Sequence, residues 1–141
     1  MATDSKCIFC KIVRGEIPCY LVYEDAAVLA FLDIGPLAPG HLLLIPKNHY
    51  ATMDELPEAE AQALGAVLPR LTSVVRRVTG AAGVNILQNN GRVAGQEVDH
   101  VHVHLIPRRD QDGLGYRWNP TKYAEGQAEA LLKEYRQAMS P

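Results

Sequence analysis

The sequence has no long apolar run. None approaches the ~18 consecutive apolar residues that a membrane span needs, and the N-terminal MATDSKCIFC lacks the basic segment and apolar stretch of a secretory signal. No membrane association is expected, and the chain is expected in the cytoplasm. An excess of positive charge is also missing: 14 Lys and Arg stand against 16 Asp and Glu, a formal net charge of −2. Without a global positive field a general nucleic-acid binder is excluded, and any anion has to be held by a local cluster. Cysteine is scarce, at three residues. An odd number in a reducing compartment excludes a disulfide framework and leaves plain thiols or metal ligands. What remains, 48% apolar and 21% charged residues, is the composition of one soluble domain over residues 1–141 with its own core.

Along the chain, CIFCKIVRG reads as a short helix ended by Gly15. The runs YLVYED and VLAFLDI read as a hairpin. HLLLIP, entered through the Pro- and Gly-containing IGPLAPG and stopped by Pro46, reads as a third strand. From Pro57 onward, Leu64, Val67, Leu68, Leu71, Val74, Val75 and Val78 recur at helical spacing, as in a helix burying one face, and Gly80 is its stop. Pro69 falls inside that pattern, at a cost of roughly 3 kcal/mol or a kink. VNILQN and HVHVHLIP are further strands, separated by NGRVAGQEVD. A helical tail begins at about residue 120, with Ala128, Leu131, Leu132, Tyr135 and Met139 in register. The expected class is α+β: an antiparallel meander sheet of about five strands, one long helix and a C-terminal helix.

The segment that carries chemistry is His100-Val101-His102-Val103-His104-Leu105-Ile106. A strand turns alternate side chains to opposite faces, so the imidazoles share one face and the apolar residues the other. A single histidine there would be an ordinary solvent-facing residue, but three in strict alternation point to a site. Clustering disfavours the charged form, so at least one ring stays neutral near pH 7. A neutral imidazole either attacks phosphorus through a covalent intermediate or binds a metal, and spacing alone leaves both open.

HVHVHLI resembles the motif that names the histidine triad (HIT) family. CIFCKI, IPCYLVYED, LAFLDIGPLAPGHLLLIPKNH and NNGRVAGQ resemble the family's other segments in the same order, so that the likeness covers roughly residues 6 to 109. CIFCKI and Asn89 are similar to the nucleotide-binding, Hint-like branch of phosphoramidases, and HLIPRRD to the branch that cleaves dinucleoside polyphosphates. The resemblance implies a HIT-like fold, a homodimer, and a hydrolase or transferase cleaving at the α-phosphate of an AMP or GMP moiety through a nucleotidyl-histidine. No cofactor is required for that catalysis.

In the family pattern His102 is the nucleophile, the His100 carbonyl orients it, His104 donates to phosphate or leaving group, His41 supports the array, and Asn89 and Gln96 face the phosphate. Asp33 takes the ribose hydroxyls, and Ile8, Phe9, Ile12, Ile34 and Leu43 form the base pocket. Glu97 departs from branches that carry Ser or Thr there. Cys7 and Cys10 have the spacing of half a zinc site, which His49 and His100 complete as a structural Cys2His2 set in some bacterial members that the chain resembles. Two ordinary thiols are the alternative, and Cys19 has no partner in either case. The segment GYRWNPTKY, with Trp118, lies where branch-specific tails occur. Rival classes are a metal-dependent hydrolase using the HVHVH imidazoles and a module that binds nucleotide without turnover.

Overall fold

The computed structural model describes residues 3–115 and 119–140. The tail residues Tyr116, Arg117 and Trp118 lie outside it. Cys7 caps α1 (Ile8–Val13), its sulfur accepting from the Cys10 backbone N–H, and the left-handed Gly15 ends the turn. Then come β1 (Leu21–Glu24), β2 (Val28–Leu32), β3 (Leu42–Pro46), α2 (Glu58–Thr79), β4 (Gly83–Gln88), β5 (Val103–Arg108) and α3 (Gln127–Met139). The strands form one antiparallel sheet in the order β1-β2-β3-β5-β4. The α+β class, the five strands and both helices agree with the sequence reading.

Strand alternation divides the core into two layers. Val28, Ala30, Leu42, Leu44, Val101, Val103 and Leu105 pack against Leu64, Val67, Leu71 and Val75 of α2. Leu29, Phe31, Leu43 and Ile45 face the other way and meet Phe9 of α1. Each fully buried Val, Leu, Ile or Phe side chain contributes about 1.5–3 kcal/mol, so the α2 layer is the main stabilising one and the α1 layer the lesser.

Two local expectations are corrected. Val78 is 77% exposed, because the buried stripe of α2 ends at Val75. Strand pairing begins only at Val103, so His100 and His102 lie in the approach to β5 rather than in it. The helix α2 continues through Pro69, and both Pro69 and Gly65, whose carbonyl loses its helical partner, lie on its exposed face. Among the described residues no helix is long and apolar enough to cross a membrane.

Candidate active site

A cleft of about 430 Å³ opens between α1 and the sheet face that carries the histidines. Ile8, Phe9, Ile12, Asp33, Ile34, Leu43, Asn89, His102 and His104 line it, and so does His41. The sequence reading missed Ile17, Pro18, Cys19, Leu37, Leu87 and Val98 as lining residues. They come from loops and an edge strand, and no periodic signal marks such positions.

The histidines are ordered by their hydrogen bonds. Nδ1–H of His102 donates to the His100 carbonyl at 2.7 Å, which leaves the lone pair on Nε2. Phe9 stands edge-on to that ring at 5.2 Å between centroids. A second chain of bonds starts at a backbone amide: the Leu37 N–H donates to Nδ1 of His41 at 3.1 Å. The neutral His41 ring therefore carries its proton on Nε2 and donates to Nδ1 of His104 at 2.9 Å. His104 in turn keeps its proton on Nε2 as a donor. Burial first, and then the neighbouring His102 and His41 rings, push the His104 pKa down to about 4 against a smaller opposing pull from Asp33. Burial likewise lowers that of His41, with Asp33 opposing. The relay is thus composed of neutral rings at neutral pH.

Asp33 stands at the end of β2, its Oδ1 accepting the Gly35 N–H at 2.8 Å and its Oδ2 lying 3.7 Å from Nε2 of His41. Asn89 is held close to Gly95, where a Cβ would come within 3.4 Å of its side-chain nitrogen and φ is +99°. Only glycine takes that conformation without strain. Gln96 departs from its expected place facing the phosphate. It is buried and does not line the cleft. Its Oε1 accepts the Gly91 N–H at 2.7 Å, while Nε2 donates to the Ala51 and Val98 carbonyls at 2.6 and 3.0 Å. With both amide hydrogens used in bracing the loop, Gln96 has no donor to spare for a phosphate, and Glu97, next along the chain, lines the cleft instead.

Behind His102, Cys7, Cys10, His49 and His100 bring four possible ligand atoms within 4.8 Å of one another. Nδ1 of His100 lies 3.2 Å from Nδ1 of His49, 3.4 Å from Sγ of Cys7 and 3.6 Å from Sγ of Cys10. Cys10 Sγ to His49 Nδ1 is 3.4 Å. A tetrahedron with metal–nitrogen and metal–sulfur bonds near 2.0 and 2.3 Å has edges of about 3.3–3.8 Å. Nε2–H of His100 donates to the Pro46 carbonyl at 2.8 Å, so Nδ1 is the atom left with a lone pair. Backbone N–H groups of Cys10 and Asp4 donate to the two sulfurs at 3.4 and 3.3 Å, as suits thiolates. The residues fit a metal ion. Burial raises the Cys7 pKa, so without an ion the thiol form is favoured.

A five-stranded antiparallel sheet that delivers alternating histidines to a cleft beneath a short helix defines a HIT domain, and the HIT domain family matches residues 14–111. The chain belongs to the histidine triad family. It is 46% identical to an adenosine 5'-monophosphoramidase of Schizosaccharomyces pombe over 91% of this chain and 94% of that one. The crystal structure of SMU.412c from Streptococcus mutans has a TM-score of 0.94 at 38% identity, covering 99% of this chain and 88% of that one. A zinc-bound histidine triad family protein from Mycobacterium smegmatis has a TM-score of 0.73 at 37% identity, covering 94% and 97%.

Proposed function

We propose that the protein is a nucleoside phosphoramidase that releases AMP, or GMP, through a nucleotidyl-His102 intermediate. The observation that carries this reading is the 2.7 Å bond from Nδ1–H of His102 to the His100 carbonyl, which leaves Nε2 free to attack. The kinship with adenosine 5'-monophosphoramidases supports it. Nε2 forms a bond to the α-phosphorus, the phosphorus–nitrogen bond breaks, and the leaving nitrogen takes a proton and departs as the amine. Nε2–H of His104 is the donor to phosphate or leaving group. Water then attacks the intermediate, frees the nucleoside monophosphate and restores His102. The apolar residues of α1 and the sheet receive the base, Asp33 the ribose hydroxyls, and Asn89 the phosphate.

The metal-dependent rival is disfavoured, because His41 and His104 spend facing nitrogens on each other. The cysteine–histidine set fits structural zinc, and a zinc-bound relative supports it. A bound ion would supply a fixed cross-link between α1 and the sheet, and no chemistry on the substrate. In the same reading the protein is cytoplasmic, as its free thiols suit, and homodimeric, with exposed Ile86 and Leu87 on the open edge strand β4 as support.

The test is AMP release from adenosine 5'-phosphoramidate in excess chelator, by the wild type and His102→Ala. Release by the wild type alone is expected. A loss of kcat at saturating substrate in chelator would favour the metallohydrolase instead, and binding without turnover a non-catalytic module.

A further inference from the structure

The cleft has no lysine and no arginine among its described lining residues, although it is built to take a phosphate. Its formally charged lining groups are two carboxylates, Asp33 and Glu97. His41 and His104 bring no compensating charge at neutral pH, since burial keeps both rings neutral.

The carboxylates are not equivalent. Asp33 is occupied by the Gly35 N–H and lies beside His41. Glu97 is exposed, and among the described residues it has no hydrogen bond or ion pair. Its backbone is nevertheless held in place, because the preceding Gln96 is tied by three hydrogen bonds. Position follows from the contacts. Asp33 lies beside His41, which bonds His104, at one end of the histidine row, whereas Glu97 shares a lining with Cys7, Ile8 and His49 near the other end, beyond His102. A substrate with its ribose at Asp33 and its phosphorus at His102 carries its leaving group away from Asp33, to Glu97.

We infer that Glu97 determines leaving-group specificity, and that the site prefers phosphoramidates whose leaving amine bears a positive charge over substrates whose leaving group is anionic, polyphosphates included. The inference rests on the phosphoramidase reading and narrows its substrate class. A unit charge about 6 Å from a carboxylate, at an effective dielectric between those of water and a protein surface, changes the rate about three- to tenfold. Salt shrinks the effect, because the carboxylate is exposed.

The experiment compares kcat/KM for AMP release at low ionic strength from three adenosine 5'-phosphoramidates, N-substituted with aminopropyl, propyl or carboxyethyl. Wild type, Glu97→Gln and Glu97→Lys are run side by side. The wild type is expected to favour the cationic compound over the anionic one by about tenfold or more. Glu97→Gln should compress that ratio to about threefold or less, and Glu97→Lys should invert it. A flat series in the wild type, or an undiminished ratio in Glu97→Gln, overturns the role of Glu97 while cleavage of the propyl compound keeps the phosphoramidase reading intact. Failure of the wild type to cleave any of the three overturns that reading and this inference with it.

Discussion

His100 and His102 are joined by a 2.7 Å bond from ring to carbonyl, while the His100 ring itself turns away into the cysteine cluster. One residue thus fixes the tautomer of His102 through its backbone and joins the cysteine cluster through its side chain.

Under the proposed mechanism, replacing His102 removes the attacking atom. His102→Gln should lower AMP release by about 10³-fold or more. Acid-quenched single-turnover reactions with labelled substrate should trap nucleotide on the wild-type protein and none on the variant. Labelled variant protein would show that another residue attacks.

Chelation should act on binding more than on chemistry. The cysteines of the metal set flank Phe9, and Ile8, Phe9 and Ile12 of the same short helix line the cleft. Purified protein should carry about one zinc per chain, and removing it, or making Cys10→Ser, should lower Tm and raise the Kd for AMP about tenfold, while kcat changes little. A fall in kcat with unchanged Kd would point to a metal that takes part in the reaction.

Acid should destabilise the protein through His104. Its folded pKa, pushed down to about 4 by burial, lies below the ordinary 6.5. Between the two, the unfolded chain takes up a proton that the folded chain refuses. The stability this neutral ring confers is therefore complete above pH 6.5 and is lost as the pH falls toward 4. After discounting for the opening of the cleft to water, the loss is about 1–2 kcal/mol. Urea titrations at neutral and acid pH should show His104→Asn losing less stability than wild type over that interval. Equal losses would refute the assignment.

Gln96 braces the loop that carries Asn89 and Glu97. Gln96→Ala leaves the Gly91 N–H and the Ala51 and Val98 carbonyls without their partner, at about 1–3 kcal/mol. It should reduce kcat/KM about tenfold through misplacement of Asn89 and Glu97. Gln96→Glu, which retains an acceptor for Gly91 but not the donor, should fall between, and loss of stability without any change in kinetics would argue against a positioning role.

Much of this was legible in the sequence because it rests on short-range rules. Alternation placed Val101, Val103 and Leu105 opposite the three histidines, and the spacing of Leu64, Val67, Leu71 and Val75 marked the buried face of α2. What escaped depends on partners distant in the chain. Whether Gln96 faces the cleft or the loop behind it is decided by the Ala51 carbonyl. The bond between His41 and His104 joins residues 63 apart, which no local pattern encodes.

The six residues of α1 are too few to form a helix alone. Whatever presses this segment against the sheet therefore does so for every occupant of the region. A nucleotide resting on Ile8, Phe9 and Ile12 and an ion held by Cys7 and Cys10 would share the work of ordering it. By thermodynamic reciprocity each would tighten the other by the same factor, so the affinity of this site for an ion would be a second gauge of how well the cleft holds a nucleotide.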